Sequence, residues 1–408
     1  MSHGINIGRI SGIRITLDWS LILIFLLVAF NLGAEVFPTW HPGWSPLLSW
    51  AVAIAAAVLF FASVLVHELS HALVAKIYDV PVRSITLFLF GGVANIDHDP
   101  DSPKEEALIA GVGPLTSIAL GIGFIILLRL LSTVPTGAAD NPLAALEHLG
   151  PVATLLAWLG PINILVGVFN VIPAFPLDGG RVFRALLWAL TRDLRTATRW
   201  ASRAGQAFAW MLIITGVAMA FGIQVPVFGG GLVQGLWFAF IGWFLNTAAV
   251  ASYRQVIIRE LLQDVPVRRL MRRQLPPTID PQSPVSTLVD DYLLATGQAL
   301  FLVGNPIQGT VGVVRARDVQ IVPREQWPMT PVSRIMHAVA DLPQTAPDDN
   351  AFEALQTLGR LDVDEMLVME NGSMVGLLRR QDIARWLELE SHNGGGRARP
   401  GTLADSQS

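Results

Sequence analysis

The chain has 408 residues, of which 52% are hydrophobic and only 15% charged, and its mean hydropathy is +0.50. That is too apolar, and too unevenly so, for an ordinary soluble protein, and it points to a membrane protein with a soluble portion. A formal charge of -4 with arginines in short clusters offers no footprint for nucleic acid, while the lack of cysteine excludes disulfides and confines any metal site to His, Asp and Glu.

In chain order, the polar lead MSHGINIGRISGIRITLDW precedes the first apolar run, and no small-residue cleavage site follows that run, so it is expected to be retained. Runs approaching the roughly 20 residues that cross a bilayer lie at Leu17 to Leu32, Pro46 to Leu65, Ala107 to Leu131, Val152 to Phe175, Ala204 to Phe221 and Leu232 to Tyr253. Six crossings are the simplest count. The connections Gly33 to Ser45, Ser132 to Pro151 and Gly222 to Gly231 hold no Lys or Arg. The opposite ones carry Arg9 and Arg14, then Lys76, Arg83 and Lys104, then six arginines from Arg181 to Arg203. The lipid bilayer is thus an expected partner, and the positive-inside bias puts both termini in the cytoplasm.

The second run leads into VLVHELSHALVAK, Val64 to Lys76. His67 and His71 stand one helical turn apart, so both imidazoles share a face at a separation that one Zn²⁺ can bridge. Glu68 beside them is placed to take a proton from a water that the metal acidifies, which is the HExxH arrangement. A second reading, a polar cluster snorkelling at the inner helix end, accounts for one histidine but not for three groups at metal-site spacing. Next comes SITLFLFGGVANIDHDP, with β-formers on either side of Gly91-Gly92. It reads as a hairpin, either on the surface or dipping into the protein where a cavity satisfies its backbone.

At the inner end of the fourth run, FNVIPAFPLDGGR carries Pro173 and Pro176, which break the helix, and Gly179-Gly180, which permit a tight backbone. Asp178 is thereby offered at the depth of His67 and His71 as a third ligand. Its alternative role is to cap a helix beginning near Arg181. After Tyr253 the composition turns polar and an internal repeat appears. VRRLM at Val267 recurs as VSRIM at Val332, and GVVRARDV at Gly312 recurs as GLLRRQDI at Gly376, an offset of 65 or 64 residues. The expected division is a membrane domain over 1-252, a linker over 253-265, and a paired soluble α/β domain over 266-390. The copies of that pair span about 266-325 and 331-390, and a disordered tail covers 391-408.

These motifs resemble the site-2 protease family of intramembrane zinc metalloproteases: HELSH in one span, FNVIPAFPLDGG in another, LFLFGGVANI between them and GIRITLDWS near the start. The resemblance implies a polytopic α-helical membrane protein with six transmembrane helices, a membrane-associated β-hairpin and one zinc per chain. It implies His67, His71 and Asp178 as zinc ligands and Glu68 as catalytic base. It also implies Asn170 as a catalytic residue that stabilises the oxyanion or holds substrate, although the residues alone equally allow Asn170 to satisfy backbone freed by Pro173. The hairpin resembles an element that pairs with an unwound substrate backbone, and the implied substrate is a single-span or other membrane protein, cut in or near its transmembrane segment.

The C-terminal repeat resembles a tandem CBS domain pair, a module that in many proteins binds adenine nucleotides. Asp318 and Asp382 match its ribose-contacting aspartates. Arg315 and Arg379 stand where ligand-binding copies often carry Thr or Ser, so a cation either meets phosphate or fills the cleft. Modulation of the membrane domain, or homodimerisation through the pair, is the alternative to nucleotide binding. A rival class, a CBS-gated channel with intramembrane His and Asp along its path, does not explain why Glu68 adjoins a four-residue His spacing.

Overall fold

The computed structural model describes residues 4–88, 91–96, 100–132, 146–226, 229–296, 298, 300–305 and 309–393. The chain divides into two units, Met1–Val256 and Ile257–Ser408. In the first, strands β1 (Gly4–Ile10) and β2 (Ile13–Asp18) form a hairpin ahead of the first long helix. The polar lead therefore folds as sheet, through the alternation of Ile13, Ile15 and Leu17, of which Ile13 and Ile15 are buried. Helix α1 (Trp19–Asn31) is capped by Asp18, whose carboxylate accepts from the Ser20 N–H at 2.9 Å. It continues through a π turn, Leu32–Val36, to Trp40.

Helix α2 (Pro46–Ile77) opens on a Ser45 cap and Pro46, two features that favour a helix start. Its 32 residues span about 48 Å against a hydrocarbon core of roughly 30 Å. The apolar run read to Leu65 thus continues as one helix through the histidines. Strands β3 (Val82–Phe88) and β4 (Gly91–Ile96) follow as an antiparallel hairpin. It does not stand alone: β2 pairs parallel with β3, giving one sheet in the order β1-β2-β3-β4. Ile13, Ile15, Ile85 and Leu87 pack with Leu21 and Ala72, so this sheet is fixed to α1 and α2.

Helix α3 (Pro103–Leu131), α4 (Pro151–Val171), α5 (Asp178–Thr191), α6 (Leu194–Ala220) and α7 (Leu232–Leu262) complete the sequence of long helices. Among the described residues six helices are long and apolar enough to cross a membrane, as the sequence predicts. Helix α4 stops at Val171 instead of Phe175, where Ile172, the residue before Pro173, takes a ψ of 127° outside the helical range. Helices α3 and α4 approach closely: a Cβ added at Gly121 would lie 2.7 Å from the Gly160 carbonyl oxygen, a packing that small residues allow between apolar helices.

The expected linker over 253-265 is helical as far as Leu262. Ile258 and Leu262 share a helical face, and both pack into the core of the second unit with Val267, Leu270 and Leu358. The first copy there holds β5 (Thr278–Ile279), a helical stretch over 285–296, and the antiparallel pair β6 (Leu300–Asn305) and β7 (Gly309–Arg315). The second holds β8 (His337–Ala338), β9 (Gln344–Thr345), α8 (Ala351–Leu361), β10 (Glu365–Glu370), β11 (Ser373–Arg379) and α9 (Arg380–Asn393). Sheets β5-β6-β7-β8 and β11-β10-β9 repeat one plan, parallel then antiparallel, as the sequence repeat predicts. The tail expected from 391 lies outside the described residues, except that α9 runs through Asn393.

Candidate metal centre and the paired cleft

In α2 the rings of His67 and His71 stand with centroids 4.9 Å apart, and both side chains are buried. Their Nε2 atoms are 3.2 Å from each other, and Asp178 Oδ2 lies 3.1 Å from the first and 3.2 Å from the second. An ion bonded tetrahedrally at about 2.0–2.1 Å has its ligands roughly 3.3–3.4 Å apart. The three atoms therefore already outline one face of such a site, and among the described residues they are the group of this kind that can hold a metal.

Asp178 reaches the histidines because α4 breaks at Pro173 and the chain turns through buried Ala174 and Phe175 into α5. It is the first residue of α5. The residue in the cap position is Leu177, with no side-chain cap, so the carboxylate is free of the capping role. The glycines that follow are obligatory for close approach: a Cβ on Gly180 would lie 2.5 Å from the Ala174 carbonyl carbon, and one on Gly179 would overlap the Val171 carbonyl.

Helix α3 backs both histidines with residues four apart on one face. His71 Nδ1–H donates to the Ile109 carbonyl at 2.6 Å, which leaves its Nε2 lone pair directed at the cluster. His67 Nδ1 lies 2.9 Å from the hydroxyl oxygen of Ser117, itself buried. Between them sits Gly113, where a Cβ would come 2.8 Å from His67 Nε2 and would overlap the His71 ring. A donor triangle, a His71 lone pair set by its opposite nitrogen, and a glycine that clears the space together fit a resident zinc.

Glu68 is partly buried, and the Gly92 backbone N–H in β4 donates to its carboxylate. A Cβ on Gly92 would overlap the Glu68 side chain, so β4 lies directly on this residue. Asn170 lies near the C-terminal end of α4. Its amide donates to the Val166 carbonyl one turn back at 3.0 Å, which differs from the Phe169 carbonyl that the Ile172 N–H takes. Ile109, Gly113 and Ser117 escape a reading of motifs because they are ordinary helix residues, and Gly92 is legible only as part of the hairpin, not as a partner of Glu68. The spacing of small residues at 113, 117 and 121 in an apolar run was the available signal.

In the second unit both aspartates already have cationic or amide partners. Asp382 accepts from Arg379 Nε and Nη2 at 2.8 and 3.0 Å and from Arg272 Nε at 3.2 Å. Burial pushes its carboxyl up, but Arg379 and Arg272 outweigh burial and hold it below the usual carboxylate range. Asp318, buried, accepts from the Arg315 N–H at 2.8 Å and faces His337 Nε2 at 3.2 Å. The pattern is reciprocal. Arg272 and His337 each follow the methionine of the repeated pentapeptide, and each reaches the aspartate of the other copy.

Fold and cluster together define a polytopic metalloenzyme with an appended α/β pair. The model for peptidase family M50 matches residues 55–212, and that for the CBS domain matches 332–389. Rip3 of Mycobacterium tuberculosis, named as a candidate zinc metalloprotease, is 33% identical over 95% of this chain and 94% of its own. The zinc metalloprotease MJ0392 of Methanocaldococcus jannaschii is 26% identical over 95% of this chain and 97% of its own. The solved site-2 protease of that organism aligns with 62% of this chain and 96% of its own at 29% identity and a TM-score of 0.41. The chain belongs to the M50 family of site-2 protease-type zinc metallopeptidases, and it carries CBS sequence at its C-terminal end.

Proposed function

We propose that this peptidase cleaves a peptide bond in or near the transmembrane segment of another membrane protein, toward the cytoplasmic face, with both termini and the CBS pair in the cytoplasm. The observation that carries the reading is the His67, His71 and Asp178 triangle inside a bundle of span-type helices. The distribution of Lys and Arg among the connections supports the orientation. Zinc bound by these three residues would supply Lewis acidity toward water and the scissile carbonyl.

The chain's own groups account for the rest. Glu68 takes the proton of the attacking water and later returns it to the leaving amine. Gly92 N–H holds that carboxylate in place, and His71 keeps its Nε2 unprotonated by donating from Nδ1 to Ile109. Strand β4 is an outer strand of its sheet. An unwound substrate segment can add to it as a further strand, which puts the substrate backbone alongside Glu68 and the donor triangle. This requires the hairpin to lie at membrane depth. Asn170 supplies an amide near the developing oxyanion once substrate draws it from the Val166 carbonyl.

The CBS pair modulates the peptidase, alone or through a second copy of the chain. An adenine nucleotide at Asp318 and Asp382 would first have to displace His337, Arg379 and Arg272, which favours modulation without nucleotide. The test is expression of wild type and Glu68→Gln beside single-span substrates, with metal analysis of both proteins. The reading requires cleavage by wild type alone and about one zinc in each; cleavage by both, or zinc in neither, removes it.

A further inference from the structure

Helices α3 and α5 hold opposite halves of the metal centre. Helix α3 supplies the Ile109 carbonyl, Gly113 and Ser117 that fix the two imidazoles, and α5 begins with Asp178. Their relative position therefore sets the triangle. Among the described residues the two helices share an ionic link, Glu106 on α3 with Arg184 on α5, both buried, with Glu106 only 1% exposed. Arg184 Nε donates to Glu106 Oε1 at 2.7 Å, and its Nη2 donates to the same oxygen. The guanidinium also covers the ring of Phe175 at 5.3 Å from its centroid. Phe175 belongs to the turn that delivers Asp178, so Arg184 touches both the helix behind the histidines and the approach to the third donor.

A pair of this kind is rigid for an electrostatic reason. Glu106 Oε2 is buried with no hydrogen-bond partner among the described residues, so the side-chain compensation for this desolvated carboxylate comes from Arg184 on Oε1. Sliding α5 along α3 would separate the charges in an apolar interior, which is strongly disfavoured. A staple needed only for packing could be apolar, as such pairs often can be replaced by hydrophobic side chains without loss of stability. An ionic one adds a fixed register.

We propose that Glu106 and Arg184 are positioning residues that lock α5 in the register presenting Asp178 to His67 and His71, so that the pair sets zinc retention beyond any part it plays in folding. This rests on the metal reading above. The test is zinc content of the purified full-length protein across a chelator series, together with the melting temperature of the metal-free form. Three proteins are compared with wild type: Glu106→Leu/Arg184→Met, which removes both charges, Arg184→Lys, which keeps both charges but gives up the paired guanidinium nitrogens, and Glu106→Gln.

The double variant should melt near wild type without metal yet lose zinc at a chelator concentration about tenfold lower, the scale of an outer partner of a metal ligand. Arg184→Lys should stay within about threefold of wild type, because a single donor still meets Oε1. A double variant that melts and retains zinc like wild type overturns the clamp. Should it fail to fold, Glu106→Gln carries the test, with earlier zinc loss supporting the clamp and unchanged retention overturning it. Wild type without stoichiometric zinc overturns instead the metal reading, and the clamp with it.

Discussion

Asp178 in the membrane unit and Asp382 in the CBS pair are both held by nitrogen neighbours at about 3 Å, yet the neighbours differ in kind. Around Asp382 they are two guanidiniums, which neutralise the carboxylate permanently. Around Asp178 they are two imidazole Nε2 atoms, and the ring of His71 spends its Nδ1–H on a backbone carbonyl. One cluster carries its own counter-charge, whereas the other assembles donors and lacks a fixed cation. An acidic residue in a suggestive motif is a ligand candidate only where the fold has not already supplied its partner.

The comparison breaks most sharply under one substitution made at both places. Asp178→Ala should abolish cleavage and lower zinc affinity by more than the roughly 100-fold upper cost of losing an outer partner. Asp382→Ala should leave zinc content, by metal analysis, equal to wild type. Next in size, Glu68→Gln should retain about one zinc while cleavage in proteoliposomes falls roughly 10²–10⁴-fold, the range for loss of a general base. Gly113→Ala should cost about tenfold in zinc retention through displaced imidazoles, measured by chelator competition.

How much of this was legible depends on where the partners lie in the chain. His67, Glu68 and His71 are neighbours in one helix, and Asp178 is announced by the prolines and glycines around it, so both halves of the triangle could be read in advance. The six spans and the 64 to 65 residue repeat were equally open. The backing of the histidines was not, since Ile109 and Ser117 lie 38 and 50 residues away and act through a carbonyl and a hydroxyl that many residues could offer. The N-terminal strands carried a legible alternation at Ile13, Ile15 and Leu17, but it sat within a short polar stretch. The crossing of Arg272 and His337 to opposite copies is a matter of topology, which spacing along the chain does not reveal.

The smallest effect sharpens the CBS side. Arg379 and Arg272 hold the Asp382 carboxyl below its ordinary value, so its contribution to stability is present above the unfolded pKa of about 3.9 and disappears as pH falls through the folded value. Asp382→Asn should therefore lower the second unit's melting transition by a few degrees at pH 7, about 1 kcal/mol. That gap should begin to narrow in calorimetry only below about pH 4, and close once pH has fallen past the lower folded value.

X-ray absorption at the zinc edge of the purified wild-type protein tests the central claim most directly. Nitrogen and oxygen neighbours at about 2.0–2.1 Å, with the outer-shell scattering of two imidazole rings, are the expected result. A protein that binds no zinc, or binds it with the scattering of fewer than two imidazoles, would contradict the assignment of His67, His71 and Asp178.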